Sequence, residues 1–523
     1  MYFTSYISLS NLKRNTLKLL FYGGIFLKKY DVIVVGTGNA ALSSAISAKE
    51  NGSEVLVLEK APKEKRGGNS IFTDGAIRFA YNDLQGIKEV VTALSESDLS
   101  EIQMPDYNTE DFYEDILKVT NGESNPELAQ FLSNESFETI LWMKKQGVEF
   151  QLNENQYFEI NGNKSFWGGL PIKTVDKGIG LMKSLFNRAQ ELGIDIIYSA
   201  EVNKIEMNHN KVSAVTYLDN NKQRVTVDTE AIILACGSFE ASKDKRVKNL
   251  GEEWEKAIVR GTEYNTGDGI EIATEIGANK TGQYDGCHAH TTDYNAPKVG
   301  DFSKPGDIYK KSSYPLGLII NKNGERFVDE GADFRNYTYA KYGKETLKQP
   351  GQKAFQIFDS QVSPMLRKEY HLKEATKIVA DTLEELAEKM DINPNDFVEM
   401  INEYNASVQD GDYNPSVKDG KSTKGITPEK TNWALKFDQA PYYAFPITCG
   451  ITFAFGGIST NTKAEALDEQ NNAIAGLFVA GEMVGGLFYH NYPGGSGLMS
   501  GSVFGKRAGK SAAEYVQMNK VDN

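Results

Sequence analysis

The segment from residue 30 to residue 59 constrains the fold more than any other part of this chain. An apolar, β-branched run at 30–35 leads into the sequence GTGNAA at 36–41, then a helical stretch to about Asn51 and a second apolar run at 54–58. Runs of this kind are typical of buried parallel strands. The segment therefore predicts a β-α-β unit with glycines in its first turn.

The glycine turn has the composition of a dinucleotide-binding site. Gly36 permits the tight turn, Gly38 lets the backbone approach a pyrophosphate, and Ala41 keeps the helix close to the strand. The start of the helix offers free N–H groups and a partial positive charge to phosphates. Glu59 follows Gly38 by 21 residues, a spacing at which a carboxylate can accept hydrogen bonds from ribose hydroxyls.

A second glycine loop indicates which dinucleotide is bound. Arg66–Ser70 (RGGNS) follows Glu59 directly, and the chain is then irregular and polar from 82 to 109. An NAD domain would normally continue into another β-α repeat, whereas a second loop can pass under a flavin and its phosphates. We therefore expect FAD.

The C-terminal part of the chain supplies a matching block. Gly476–Glu482 predicts a short buried strand that ends in Gly-Glu, where the carboxylate can bind a ribityl chain. Gly494–Leu498 then opens a helix whose N-terminus would stabilise the anionic reduced flavin. A further strand at 232–237 ends in small residues that suit packing against an adenosine.

Together these segments predict a set of cofactor-binding residues near the ends of strands and the starts of helices. The set is Gly36, Gly38, Asn39, Ala40, Glu59, Lys60, Arg66, Gly67, Gly68, Asn69, Ser70, Val202, Ala235, Gly237, Asp268, Gly481, Glu482, Ser496, Gly497 and Leu498.

Composition excludes several other classes of protein. The chain has 523 residues and a net charge of −14, so it lacks the basic balance that nucleic-acid binding requires. Its three cysteines are spaced too widely for a disulfide framework, a thiolate zinc site or an iron–sulfur cluster, and we expect no metal. No apolar run reaches the ~18 residues of a transmembrane helix. We expect a cytoplasmic protein, or one peripheral to the inner face of the membrane, with residues 1–28 as an N-terminal extension.

Seven segments resemble the flavoprotein family of fumarate reductases and succinate dehydrogenases, and within it the FAD-dependent tricarballylate dehydrogenases. The segments are 36–41, 66–70, DILKVTNG at 115–122, GCHA at 286–289, GERFVDEGADFRNYTYAKYG at 324–343, GITFAFGG at 450–457, and GLFVAGEMVGGLFYHNYPGGSGLMSG at 476–501. They are spread over nearly the whole chain, and the middle and C-terminal blocks are more specific than the dinucleotide turn.

The resemblance implies an α/β fold in which a capping domain is inserted into a Rossmann-type FAD-binding domain, a parallel sheet with helices. We expect an FAD-binding domain at 29–283 and 447–523 and an α+β capping domain, which binds substrate, at 284–446. Within the cap, helices are expected at 382–390 and 395–404. Succinate dehydrogenases attach their flavin through a histidine near the second glycine loop. No histidine occurs among residues 1–208 here, so we expect non-covalent FAD.

The resemblance also implies the catalytic residues. Arg335 follows the RFVDE segment at 326–330, as in the tricarballylate dehydrogenases, and would be the acid/base, with Asp329 and Asp333 as relay partners. His288 stands where the family has a substrate-binding histidine. His490 and Tyr492 complete the predicted catalytic set.

Two departures bear on the substrate. Fumarate reductases have a histidine where this chain has Thr452 and Phe453, and an arginine where it has Tyr492. A tyrosine before Pro-Gly-Gly also resembles the 3-ketosteroid dehydrogenases, which act on a neutral ring ketone. Tyr492 can donate a hydrogen bond but carries no charge.

The favoured function is a dehydrogenase that exchanges hydride between flavin N5 and a CH–CH bond of a small polycarboxylate such as tricarballylate. The alternatives are a fumarate reductase or succinate dehydrogenase activity, a ketosteroid dehydrogenase activity, and, in another class, a flavin electron carrier or corrin-pathway partner. The chain has no haem motif and no cluster cysteines, so we expect a separate electron acceptor, in the resembled family an iron–sulfur membrane protein.

Overall fold

A computed structural model describes residues 29–522 apart from 92, 161 and 167. The predicted extension at 1–28 lies outside the described residues. The strands are β1 Val32–Val35, β2 Val55–Leu58, β3 Ala76–Ile77, β4 Ile102–Gln103, β5 Phe150–Leu152, β6 Tyr157–Ile160, β7 Asn163–Phe166, β8 Ile172–Thr174, β9 Asp195–Ile197, β10 Glu201–Asn208, β11 Lys211–Leu218, β12 Arg224–Asp228, β13 Ala231–Leu234, β14 Ile258–Val259, β15 Lys280–Asp293, β16 Leu318–Asn321, β17 Ala354–Phe358, β18 Ile378–Ala380, β19 Tyr442–Ile458, β20 Glu465–Leu467 and β21 Ala473–Val479.

Helices separate many of these strands and cover the sheets. The α-helices are α1 Asn39–Glu50, α2 Leu84–Val90, α3 Glu96–Ser100, α4 Thr109–Val119, α5 Pro126–Lys145, α6 Lys177–Glu191, α7 Lys243–Leu250, α8 Asp268–Glu275, α9 Arg335–Thr338, α10 Tyr342–Leu347, α11 Leu383–Met390, α12 Pro394–Ser407 and α13 Ser496–Asp522.

The largest sheet has the order β10-β11-β21-β13-β1-β2-β9, with β12 beside β11 and β20 beside β21. The strands from β21 to β9 pair in parallel with their neighbours. Strands β1, β2 and β13 are fully buried, because VIVV, VLVL and AIIL present apolar side chains to both faces. The predicted β-α-β unit is confirmed.

Helices α1 and α13 pack closely against each other over this sheet. A Cβ placed on Gly505 of α13 would lie 2.6 Å from the carbonyl oxygen of Ala40. Glycine at this position therefore lets the two helix backbones approach, and it brings the last helix of the chain against the first.

Strands β15 and β19 form a long antiparallel pair that joins the two parts of the molecule. They belong to a second sheet of order β14-β19-β17-β16, in which β18 also pairs with β19. The boundaries predicted at 284 and 446 fall inside β15 and β19, so the chain passes between the two parts without a break in either strand.

The inserted part has its own apolar core. Leu318, Phe355, Leu386 and Phe397, from β16, β17, α11 and α12, belong to one buried cluster. The helices predicted at 382–390 and 395–404 correspond to α11 and α12. The fold is thus the predicted Rossmann-type domain with an inserted cap. None of the helices described here is long and apolar enough to cross a membrane.

Candidate functional site: a dinucleotide cavity beside a ring cluster

A cavity of about 1330 Å³, counted with its open mouth, lies where the parallel strands of the largest sheet end. Gly36 follows β1, Glu59 follows β2, Ala235 follows β13 and Gly481 is close behind β21. Because the carboxyl ends of parallel strands meet at one edge, segments far apart in sequence line one crevice there.

The two glycine loops are hydrogen-bonded to each other at this edge. The backbone N–H of Asn39 donates to Ser70 Oγ over 2.9 Å, and the N–H of Gly67 donates to Thr37 Oγ1 over 3.2 Å. Thr37 Oγ1 in turn donates to Glu59 Oε2. The second loop is therefore held against the start of α1.

Glu59 is the buried acid of this edge, with 7% of its surface exposed. Its Oε1 accepts the backbone N–H of Ala61 over 2.7 Å. Burial raises the pKa of Glu59, and the hydrogen bonds from Thr37 and Ala61 oppose that shift. The side chain is thus fixed in place at the end of β2.

Most of the predicted cofactor residues line this one cavity. Those on its wall are Gly36, Gly38, Asn39, Ala40, Glu59, Lys60, Gly68, Asn69, Ser70, Val202, Ala235, Gly237, Asp268, Gly481, Glu482, Gly497 and Leu498. Three predicted residues lie off the wall. Arg66 stacks on Phe186 at 4.6 Å, Gly67 makes the turn of the second loop, and Ser496 bonds to the carbonyl oxygen of Pro493.

The cavity has the features that FAD requires. A Cβ on Gly36 would lie 2.6 Å from the carbonyl oxygen of Ala235, so only glycine fits where β1 turns beneath the crevice. Gly38 precedes α1 and has no side chain to cap it, which leaves the helix start open to a phosphate. The donors and acceptors at Lys60 and Asp268 also face the crevice. The residues that line the cavity therefore fit FAD.

Two carboxyl groups, of the buried Glu240 and the half-buried Glu482, interact with each other beside the cavity. Oε1 of Glu240 accepts the side-chain amides of Asn69 and Asn265, each over 2.7 Å. Glu482 lines the cavity and accepts the backbone N–H of Ala454 over 2.7 Å. Burial, and then the charge of Glu240, raises the pKa of Glu482 well above its usual value.

Four aromatic side chains contact one another beside the cavity, and we call them the ring cluster: His288, His290, Tyr339 and Tyr492. Tyr492 lines the cavity and stacks on His288 with centroids 4.8 Å apart. Tyr339 meets His288 edge-on at 4.9 Å and His290 at 5.3 Å. The two histidines are two residues apart in β15, and their rings stack with centroids 6.4 Å apart.

His288 is 2% exposed, and neither of its ring nitrogens has a hydrogen-bond partner among the described residues. Burial, then the charge of Arg260, lowers its pKa well below the usual value. A neutral imidazole with two orphaned nitrogens is costly unless a bound molecule pairs with it.

Arg335 begins α9 beside this cluster. Its guanidinium lies 5.5 Å from the Tyr339 ring, and its Nη2 donates to Asn336 Oδ1 over 3.2 Å. The two predicted relay partners are engaged elsewhere, which overturns that expectation. Asp329 accepts from Thr431, and Asp333 lies 3.2 Å from the ammonium of Lys118 on the surface.

His490 contacts other residues than Tyr492 does. Its Nε2 is 2.7 Å from Glu123, and 40% of its side chain is exposed. Its backbone N–H donates to Gln283 Oε1 over 2.6 Å. The structure therefore groups three of the predicted catalytic residues, Arg335, His288 and Tyr492, and places His490 on a neighbouring surface.

Arg260 is a site residue that sequence reasoning missed. It makes a two-point ion pair with Asp307, with distances of 3.2 and 2.5 Å, and donates to Thr452 Oγ1 over 2.9 Å. Burial, and then the charge of Arg260, lowers the pKa of both His288 and His290. The sequence feature that could have indicated Arg260 is its position in the segment VRGTEYNTGDG, which also contains the predicted cofactor residue Asp268.

The chain is similar in sequence and fold to known flavin-dependent reductases. The probable fumarate reductase Ifc3 of Shewanella frigidimarina is 29% identical over 494 residues, covering 92% of this chain and 75% of that protein. The vinyl phenol reductase of Lactiplantibacillus plantarum is 26% identical over 536 residues, covering 94% and 98%. The open conformation of a flavocytochrome c3 fumarate reductase superposes with a TM-score of 0.70 at 26% identity, covering 94% and 79%.

The family described as FAD binding domain matches residues 31–498. That range contains both glycine loops, the ring cluster and the inserted cap. The predicted resemblance to the fumarate reductase flavoproteins is confirmed at this level, and the narrower likeness to tricarballylate dehydrogenases stays a prediction. The chain therefore belongs to the FAD binding domain family, and FAD is its cofactor.

Proposed function

We propose that this protein is an FAD-dependent oxidoreductase that transfers a hydride between flavin N5 and a carbon of a C–C bond next to a carboxylate. The observation that carries the proposal is the orphaned, buried His288, which stacks on Tyr492 at the wall of the FAD cavity and contacts Tyr339 beside Arg335. A substrate on these side chains would lie between the cofactor and a proton donor.

Each residue would have a distinct task in such a reaction. Bound FAD supplies the hydride acceptor or donor. Neutral His288 and the hydroxyl of Tyr492 would donate hydrogen bonds that orient the substrate on the cavity wall. Arg335 would hold or deliver the proton at the neighbouring carbon. The buried rings around it would keep water from that carbon.

A small polycarboxylate of the tricarballylate type is the substrate that the sequence resemblance favours. Fumarate or succinate chemistry is the nearest alternative, and the relatives named above support the reaction type. Arg335 brings a positive charge to the site with no carboxylate within 4.0 Å among the residues described. Such a cation suits an anionic substrate.

A neutral or aromatic substrate is the second candidate. The ring cluster continues into Phe453 and Phe488, whose centroids lie 5.6 and 5.2 Å from that of Tyr492. One relative that covers nearly the whole chain is a vinyl phenol reductase. Aromatic walls favour a planar, apolar substrate by stacking.

We also propose that a separate redox protein exchanges electrons with the flavin. The three cysteines, Cys236, Cys287 and Cys449, are all free. An iron–sulfur protein at the membrane is the partner class that the family resemblance favours.

The test is a substrate panel with the purified yellow protein under anaerobic conditions. Tricarballylate, succinate and a 3-ketosteroid are added to oxidised flavin, and fumarate, an acrylate and a vinyl phenol to dithionite-reduced flavin. Bleaching or reoxidation by a carboxylate supports the proposal, and a response confined to the steroid or the phenol supports the second candidate. A flavin that responds to none of them, yet exchanges electrons quickly with a redox protein, would indicate the electron carrier instead.

A further inference from the structure

Two guanidinium groups on the cap side of the site, Arg335 and Arg367, have no carboxylate within 4.0 Å among the described residues, and we call them the guanidinium pair. Four other cations of this region are each paired with a carboxylate. Those pairs are Arg78 with Asp115 at 2.9 Å, Arg260 with Asp307 at 2.5 Å, Lys310 with Asp74 at 2.8 Å and Arg326 with Glu330 at 2.5 Å. The guanidinium pair differs from these four cations, because its hydrogen bonds go to neutral oxygens.

One turn of the chain, between β5 and β6, is bonded to Arg367 directly and to Arg335 through Asn336. Arg367 Nη2 donates to the backbone carbonyl of Asn155 over 3.0 Å. The next residue, Gln156, exchanges two hydrogen bonds with Asn336, of 2.6 and 3.3 Å, and Asn336 accepts from Arg335 Nη2. Each guanidinium thus donates to a neutral oxygen, and the two are connected through Asn155, Gln156 and Asn336.

The two charges also act on each other. Burial, then the charge of Arg335, lowers the pKa of Arg367 to about 10. The carboxylates that partly oppose this shift, Glu369 and Asp74, lie closer to Lys310, at 4.0 and 2.8 Å from its ammonium. A bound anion would offset this repulsion and accept charged hydrogen bonds from the guanidiniums.

We propose that the guanidinium pair binds a carboxylate group of the substrate. Arg367 would supply the positive charge that fumarate reductases place at Tyr492, but from the cap and not from the C-terminal turn. The rest of the substrate would extend from Arg335 along Tyr339 and His288 to the FAD cavity. This inference rests on the proposed function, and it favours a carboxylate over the neutral substrate of the second candidate.

The experiment is a titration of the anaerobic, FAD-loaded protein with three probes, followed through the flavin absorption spectrum. Fumarate and cinnamate carry the carboxylate, and cinnamamide is the neutral counterpart of cinnamate. We expect Arg367→Gln to weaken the binding of both acids by about 10- to 100-fold, because it removes a charged hydrogen bond, and to leave cinnamamide unchanged. Arg367→Lys should bind the acids with intermediate affinity.

Lys368→Gln is the matched control, since Lys368 is the next residue, loses the same charge and is 82% exposed with Glu154 3.5 Å away. It should bind all three probes as the wild type does. FAD content and melting temperature show whether each variant is folded. If Arg367→Gln does not fold, the comparison is made with Arg367→Lys instead.

Equal affinity of the wild type and both Arg367 variants for the acids would overturn the proposal. So would a wild type that binds neither acid. Turnover is measured separately, as reoxidation of reduced flavin. A protein that binds the acids through Arg367 but transfers no hydride would defeat the proposed function and leave the carboxylate site standing.

Discussion

Asn39 and Ser502 stand 463 positions apart in sequence and are joined by a 2.9 Å hydrogen bond between their side chains. Asn39 also donates to the carbonyl oxygen of Leu498 over 3.0 Å. These bonds fix the start of the first helix, where phosphate would bind, against the helix that closes the cavity from the other end of the chain. The cofactor site therefore forms only when both ends of the FAD domain have folded together.

The packing of α1 on α13 predicts the effect of Gly505→Ala. The added Cβ would lie 2.6 Å from the carbonyl oxygen of Ala40, so the helices must move apart. We expect a loss of about 1–3 kcal/mol in the free energy of unfolding, measured by urea denaturation at saturating FAD. Lys510→Ala, an exposed change in the same helix, should stay within about 0.5 kcal/mol of the wild type. An unchanged or higher stability for Gly505→Ala would contradict close helix packing, since alanine is the better helix former.

Glu59→Gln should weaken FAD binding. Glu59 is held by Thr37 and Ala61 so that it faces the cavity, and a charged acceptor contributes about 1.5–3 kcal/mol to a hydrogen bond. The expected rise in the FAD dissociation constant is about 10- to 100-fold, measured by fluorescence of released flavin. Glu64→Gln, at an exposed site in the next turn, should leave the FAD dissociation constant unchanged. Equal flavin affinity in Glu59→Gln and Glu64→Gln would remove Glu59 from the cofactor site.

The acid pair predicts a pH dependence of stability. Burial raises the pKa of Glu482 and of Glu240 in the folded protein above the ~4.3 of an unfolded glutamate. The folded state therefore binds more protons, and this contribution to stability is present below pH ~4 and falls by up to ~1.4 kcal/mol per pH unit and proton as the pH rises toward the folded values.

Glu482→Gln removes one of these titrating groups. The difference in unfolding free energy between Glu482→Gln and the wild type should shift in favour of the variant as the pH rises from 5 to 8, measured by urea denaturation at each pH. Glu469→Gln, exposed on the turn before β21, should give a difference that does not change with pH. If the difference in unfolding free energy between Glu482→Gln and the wild type did not change with pH, the pKa of Glu482 would not be raised in the folded protein.

Arg335→Lys should abolish turnover and leave FAD bound. A lysine keeps the charge but cannot present the planar guanidinium to both Asn336 and a substrate carbon. We expect kcat to fall by at least about 100-fold, measured on whichever carboxylate of the panel reacts. Arg224→Lys, at an exposed position of β12, should keep full activity. Retained activity in Arg335→Lys would remove it from the acid/base role.

Much of the fold could be predicted because its strongest signals are local. The runs VIVV and VLVL, the glycines between them and the acid at 59 define strand, turn, helix and strand within thirty residues. The cap helices were equally clear, since Thr382 and Asn393 cap α11 and α12. The cap boundaries were harder, because β15 and β19 continue without a break through the residues where the boundaries were placed.

The candidate site was predicted in part. Arg335, His288 and Tyr492 come from motifs with a recognisable order, and the structure brings them together. Glu240, Arg260 and Arg367 were missed, because an isolated charged residue in sequence looks the same whether it is paired, exposed or buried. The relay assigned to Asp329 and Asp333 failed for the same reason, since nearness in sequence to Arg335 did not make them its partners.

The sequence by itself determined the dinucleotide-binding unit and its cofactor, because glycine turns, buried strands and a spaced acid act over short stretches of chain. Only the tertiary structure decided which cations are neutralised. Arg260 pairs with Asp307, 47 positions away, while Arg335 and Arg367 donate to the neutral oxygens of Asn336 and Asn155. Charge pairing depends on distances across the folded molecule, and those distances arise from how the cap packs on the sheet.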